Sequence, residues 1–169
     1  MNRTDCCSER LTNFMVIAAD TGIIDSDITD ADSDMYPGIM RTMVTSSGQA
    51  RIVVPINRTA RFVRIALVNP DYLSLAEVQV IEADNAARGR SASQTTTTAG
   101  GEASRAVDGS TSGEFATGSV SVTKKQTTPI PTAPVWTVDL GLDRAWCRAD
   151  GAGGAGPAPR SGEGDHGRR

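Results

Sequence analysis

Apolar residues in this chain come in short runs, several with a period of two, separated by turn residues. Asn13-Phe14-Met15-Val16-Ile17-Ala18-Ala19 reads as a buried strand. Residues 50–56 read as another, with Pro55 placing it at a sheet edge or near an end. Asn57-Arg58-Thr59 is a turn, and 61–68 and 75–81 give two further strands. In the last of these Ala76, Val78 and Val80 share one face while Glu77 and Gln79 share the other. Trp136, Val138 and Leu140 alternate into a core, and the polar, β-branched stretch 91–98 suits a solvated strand or loop. Asp108-Gly109-Ser110 is a tight turn, and 127–134, with three prolines, is an irregular connection. The Asp-rich stretch 22–38 reads as a solvated loop, because the glycine and terminal glutamate of an EF-hand are absent at the required offsets. This pattern predicts an all-β sandwich in which each sheet buries one side.

Composition agrees. The chain has 169 residues, only 4% of them aromatic, with runs of Thr, Ser and Gly. A formal charge of −3 gives no electrostatic footprint for nucleic acid or an anionic membrane. No apolar run approaches the roughly twenty residues of a membrane span. Met1 leads directly into a polar motif, so any export signal is expected to lie upstream. From 147 to 169 Gly, Ala, Arg and Pro dominate without apolar periodicity, which predicts a disordered tail or a stretch read out of frame.

The chemistry concentrates near the start, in Arg3-Thr4-Asp5-Cys6-Cys7-Ser8-Glu9-Arg10. Adjacent Cα atoms lie about 3.8 Å apart, below the usual disulfide range of roughly 4.4–6.8 Å, so a Cys6–Cys7 bridge needs a bent or cis peptide. Such a bridge closes a small apolar ring on which a C–H face can rest, and the arginines offer planar donors to hydroxyl oxygens. Two readings of the residues stand: a small sugar site, or a coincidental pair of thiols in a polar loop. Three cysteines occur in all, and a bridged pair leaves Cys147 over.

Arg-x-Asp-Cys-Cys-x-x-Arg resembles the signature of the fucolectins, eel-type fucose-binding lectins whose fold is the jelly-roll β-sandwich of the discoidin (coagulation factor V/VIII type C) superfamily. Arg61-Phe62-Val63-Arg64-Ile65 and Leu73-Ser74-Leu75-Ala76-Glu77-Val78-Gln79-Val80 look like its closing strands. Asn85 to Gln94, Glu102-Ala103-Ser104-Arg105-Ala106-Val107-Asp108-Gly109 and Val135-Trp136-Thr137-Val138-Asp139-Leu140-Gly141 are similar to its opening. The resemblance implies that 1–82 is the C-terminal half of one module and 85–146 the N-terminal half of a second repeat. Residues 83–84 link them and 147–169 form the tail. The fold is then an incomplete or circularly permuted jelly roll, and the parent protein carries tandem repeats.

The resemblance also implies the site. Arg3 and Arg10 match the arginines that hold sugar hydroxyls, a Cys6–Cys7 disulfide matches the platform under the sugar, and Asp5 braces an arginine or the loop. The third polar partner of such sites, a histidine, aligns with Val122, and the chain's one histidine, His166, lies in the tail. A structural Ca²⁺ is implied as well. Its ligands carry over to the carbonyls of Ala76, Arg105 and Ser110, the carboxylates of Glu77 and Asp108, and Ser119. In tandem modules the two sets serve different ions; they meet in one chain only if 85–146 folds back onto 1–82.

The function expected is binding of a fucose-like neutral terminal sugar on extracellular glycans or glycoconjugates, without catalysis. There is no Ser-His-Asp set, no His metal cluster and no phosphate loop, so no catalytic residue is assigned. Two alternatives belong to other classes: a discoidin-type adhesion module for protein or phospholipid, and an accessory sugar-binding module of a larger secreted glycosidase.

Overall fold

The computed structural model describes residues 1–23, 38–45, 48–127 and 133–141. The Asp-rich stretch apart from its ends, Cys147, His166 and the tail lie outside the described residues. Among the described residues seven strands run β1 (Phe14–Ala19), β2 (Ile39–Val44), β3 (Phe62–Leu67), β4 (Ser74–Leu75), β5 (Ser91–Gln94), β6 (Ser121–Val122) and β7 (Val135–Asp139). Five form an antiparallel sheet in the order β2-β1-β3-β7-β5, and β4 pairs antiparallel with β6 in a second, smaller one. Among the described residues helix is limited to short 3-10 turns. The chain is all-β.

Alternation sets the layers. Phe14 and Val16 of β1, Val63, Ile65 and Leu67 of β3, and Trp136 and Val138 of β7 project from one face into a single core. Leu75, Val78, Val80, Ala106 and Val107 meet them from the opposite layer. β1 is buried nearly throughout because Ile17 and Ala19 join a second cluster on the other face, with Ile23, Ala66 and Val135. Trp136 is fully buried, and its indole N–H donates to the Ala103 carbonyl at 3.0 Å. That bond satisfies the one polar atom of the largest core side chain.

The two stretches that resemble halves of successive modules pair with each other. Phe62 faces Asp139 and Ala66 faces Val135 across the β3–β7 ladder, while Ser74 faces Val122 across β4–β6. At the rim of the first ladder Arg61 clamps Asp139 through two hydrogen bonds of 2.9 and 2.8 Å.

Several expectations shift. The 75–81 stretch loses its alternation: Leu75, Val78 and Val80 enter the main core, Ala76 packs instead with Val120 and Val122, and Glu77 is buried. Only Ser74–Leu75 is laddered, because the Val78 and Val80 amides turn to Ala106 and to the Asn85 side chain. The pattern does not predict β2: its apolar residues do not alternate, and among the described residues it pairs along one edge, with β1. Asn2 is buried, with its amide donating to the Ser8 carbonyl and its oxygen accepting from the Arg3 N–H.

Candidate functional site

The Arg-x-Asp-Cys-Cys loop leaves Asn2, turns through Cys7 in the left-handed region (φ 59°), and closes in the 3-10 turn Ser8–Arg10. It docks against the loop at 110–118. The Thr4 N–H donates to the Gly113 carbonyl at 2.9 Å, and Phe115 N–H donates to Asp5 at 3.1 Å. Gly113 makes this approach possible, since a β-carbon there would stand 2.8 Å from the Thr4 backbone nitrogen.

Arg3 and Asp5 form a bidentate pair, with Nε at 2.5 Å and Nη2 at 2.9 Å from the two carboxylate oxygens. The Arg3 guanidinium holds Asp5 well below the usual carboxylate range. Two of its five N–H groups are committed to Asp5. The Arg3 guanidinium lies over the Phe115 ring at 5.1 Å, and Arg10 lies over Tyr72 at 4.9 Å with Asp71 at 3.8 Å. Each cation therefore sits on an aromatic face, which orients it without consuming its donors. Cys6 is exposed and Cys7 half-buried, and both are free thiols in this structure. A hydrogen bond with Cys7 pushes the Cys6 thiol up. The structure thus brings Arg3, Asp5, Phe115 and Gly113 together, with Arg10, Asp71 and Tyr72 on the other side of the cysteine pair in sequence. Val122, the position aligned with a sugar-binding histidine, is buried in β6 with Ala76 and Val120, so it offers nothing to a ligand. Phe115, Tyr72 and Gly113 escaped sequence reasoning; the scarcity of aromatics was the available signal.

The residues assigned to calcium converge from both stretches. Glu77 is 0% exposed, and its Oε2 has no hydrogen-bond partner. Asn85 Nδ2 donates to Oε1 at 3.4 Å, and the Gly109 N–H also reaches the carboxyl. Burial pushes Glu77 up to about 7, the Gly109 hydrogen bond opposes the rise, and the nearby Asp108 charge adds to it. The turn is set by Asp108, whose Oδ1 accepts from the Ser110 N–H at 2.7 Å, while the Ser119 hydroxyl donates to the Ser110 carbonyl at 3.4 Å. A hydrogen bond of 2.7 Å from Val78 N–H to the Ala106 carbonyl ties the two sets together. Ala76 is buried beside them, and the Arg105 side chain points to Glu102, leaving only its carbonyl for a cation. Among the described residues no group of three His, Cys, Asp or Glu side chains forms; this donor set depends instead on carbonyls and hydroxyls around two carboxylates. A buried carboxylate with an unpartnered oxygen, beside a second carboxylate, fits a hard divalent cation.

No protein family matches the chain, and no curated protein or solved structure matches it either.

Proposed function

We propose that this chain is a lectin-like, discoidin-type jelly-roll module that binds a neutral or deoxy terminal sugar such as fucose. The observation that supports it is the seating of Arg3 on Phe115 and Arg10 on Tyr72, the two arginines flanking in sequence a cysteine pair of which Cys6 is exposed and Cys7 half-buried. Guanidinium donors held in place lose little freedom on binding, and each contributes about 1.5–3 kcal/mol to a charge-assisted hydrogen bond before desolvation is subtracted. In an oxidising compartment, the pair loses two hydrogens to an external oxidant and closes to the apolar ring that packs against one sugar face. Ca²⁺ held by Glu77, Asp108 and the carbonyls of Ala76, Arg105 and Ser110, with Ser119 beside them, serves stability and takes no part in sugar contact. A single small site of this kind binds at about 0.1–1 mM, and tandem copies in a parent protein raise avidity.

The test is titration of the oxidised chain with fucose and with glucose, followed by NMR. The reading expects fucose-dependent shifts at Arg3, Cys6, Cys7 and Arg10, lost in Arg3→Ala and Arg10→Ala. Unchanged shifts in both variants would make the motif structural and remove the lectin assignment.

A further inference from the structure

The sequence holds two Asn-x-Thr triplets, Asn2-Arg3-Thr4 and Asn57-Arg58-Thr59. The pattern is the acceptor motif for N-linked glycans, and so short a motif also arises by chance. What each side chain does in the fold separates the two.

In the first triplet every side chain is engaged. Asn2 is 2% exposed, its amide donates to the Ser8 carbonyl at 2.7 Å, and its oxygen accepts from the Arg3 N–H at 2.8 Å. Arg3 pairs with Asp5, and the Thr4 hydroxyl abuts Gly113, where a β-carbon would stand 2.4 Å from it. A sugar on Asn2 Nδ2 would have to enter packed protein and push the loop away from its neighbours. Packing accounts for this triplet, and a glycan on Asn2 is incompatible with the folded loop.

The second triplet forms the turn between the 51–56 stretch and β3. Burial alternates along 51–57, and Asn57 falls on the exposed side with Arg51, Val53 and Pro55. Its backbone is left-handed (φ 47°), and among the described residues its side-chain amide has no hydrogen-bond partner. Arg58 fixes the turn, through Nη2 to Asp20 at 2.9 Å and Nε to the Thr59 carbonyl at 2.8 Å. The chain then enters the sheet at once: Ala60 is buried, and the Arg61 N–H donates to the Ala19 carbonyl at 2.9 Å. The neighbours thus anchor the turn and leave the Asn57 side chain in water.

The left-handed backbone accounts for an asparagine at 57, since this residue tolerates that conformation. It does not account for Thr59, whose hydroxyl makes no hydrogen bond to a described residue. A free amide and a free hydroxyl two residues apart are the groups that an N-glycosylating transferase reads. The position also spares the candidate sugar site. Asn57 lies seven residues along an extended stretch from Ala50, whose carbonyl accepts from the Asn2 N–H. At about 3.3 Å per residue it stands roughly 20 Å from the start of the Arg3 loop.

We propose that Asn57 is the acceptor of one N-linked glycan and that Asn2 is not. In the transfer a bond forms from Asn57 Nδ2 to the anomeric carbon of a lipid-pyrophosphate-linked oligosaccharide. The bond from that carbon to the pyrophosphate oxygen breaks, the lipid pyrophosphate leaves, and the amide proton passes to a base of the transferase. The proposal rests on the extracellular part of the reading above, because donor and transferase meet exported chains; sugar binding by the Arg3 loop plays no part in it.

The test expresses the full chain in eukaryotic cells behind a cleavable export leader, so acceptor competence is read whether or not the module is a lectin. Peptide N-glycosidase treatment in heavy-oxygen water converts each occupied asparagine to a labelled aspartate, which peptide mapping locates. The expected result is a label at Asn57 and none at Asn2 in the secreted protein. The glycan should be lost in Asn57→Gln and Thr59→Ala and kept in Thr59→Ser. An endoglycosidase should trim it from the folded protein and leave the Tm within about 2 °C. An unlabelled Asn57 in the chain recovered from medium and cells overturns the proposal, as does a labelled Asn2 in the secreted protein. A larger fall in Tm on trimming would place the glycan against the fold and overturn its assignment to an exposed turn.

Discussion

Replacing Glu77 by glutamine separates the charge of this buried side chain from its shape. In the folded protein burial lifts the carboxyl from its ordinary 4.5 to about 7. Between those values the folded chain holds a proton that the unfolded chain has released, so stability falls as pH rises. The contribution is fully present below pH 4.5 and is lost as pH climbs through 7. At about 1.4 kcal/mol per pH unit, the whole rise amounts to about 3 kcal/mol, or roughly 10 °C in Tm for a domain of this size. The Met1 amine is depressed by burial and drives stability the opposite way as pH approaches 8. The Glu77 charge raises the amine in return, so the difference between wild type and Glu77→Gln reads the carboxyl together with its coupling to the Met1 amine. Thermal melts in chelator at pH 5 and pH 8.5 should show the two proteins close together at pH 5. At pH 8.5 Glu77→Gln should be the more stable by up to about 3 kcal/mol. Adding Ca²⁺ at about a hundred times its Kd should return about 2.7 kcal/mol to wild type at pH 8.5 and little to the variant. Parallel pH curves in chelator would refute the buried-carboxylate argument. An equal response of both proteins to Ca²⁺ would refute the ligand assignment.

Three further substitutions test the packing. Trp136→Ala removes the largest buried side chain and orphans the Ala103 carbonyl, so denaturant unfolding should show a loss of about 3–5 kcal/mol. Gly113→Ala drives a methyl group against the Thr4 backbone and should cost about 1–3 kcal/mol. In that variant, exchange at Thr4 and Phe115 should rise before the core opens. Asn85→Ala leaves the Val80 and Ala87 amides without their shared acceptor, at 3.2 and 3.1 Å, and should lower stability by about 1–3 kcal/mol in chemical denaturation.

The sheet was legible where alternation was strong. Val63-Arg64-Ile65 and Trp136-Thr137-Val138 announce β3 and β7, and the unbroken Phe14–Ala19 run announces a strand buried on both faces. β2 was hidden because an edge strand buries little and its side chains need not alternate. The 50–56 stretch has a strand's pattern, yet no ladder forms along it among the described residues, since periodicity reports which face is buried and says nothing of partners. At the candidate site the motif drew attention to Arg3, Asp5 and Arg10. It did not reveal that Phe115 and Tyr72 seat the two arginines, because those contacts cross from one loop to another. Likewise the spacing of Glu77 and Asp108 carries no sign that the chain doubles back to bring them together.

The β3–β7 ladder has a consequence for biosynthesis. Arg64 and Thr137, hydrogen-bonded across it, are 73 residues apart in the chain. During translation β3 emerges long before the strand that covers its second edge, so the nascent sheet waits with an open apolar border beside β1. Closing so long a loop is entropically slow. For the several seconds the ribosome takes to add the intervening residues, at about 5–20 residues per second, the half-made sheet is open to pairing with neighbouring nascent chains. Expression yield in a cell should therefore depend on chaperone supply more steeply than the stability of the finished protein would suggest.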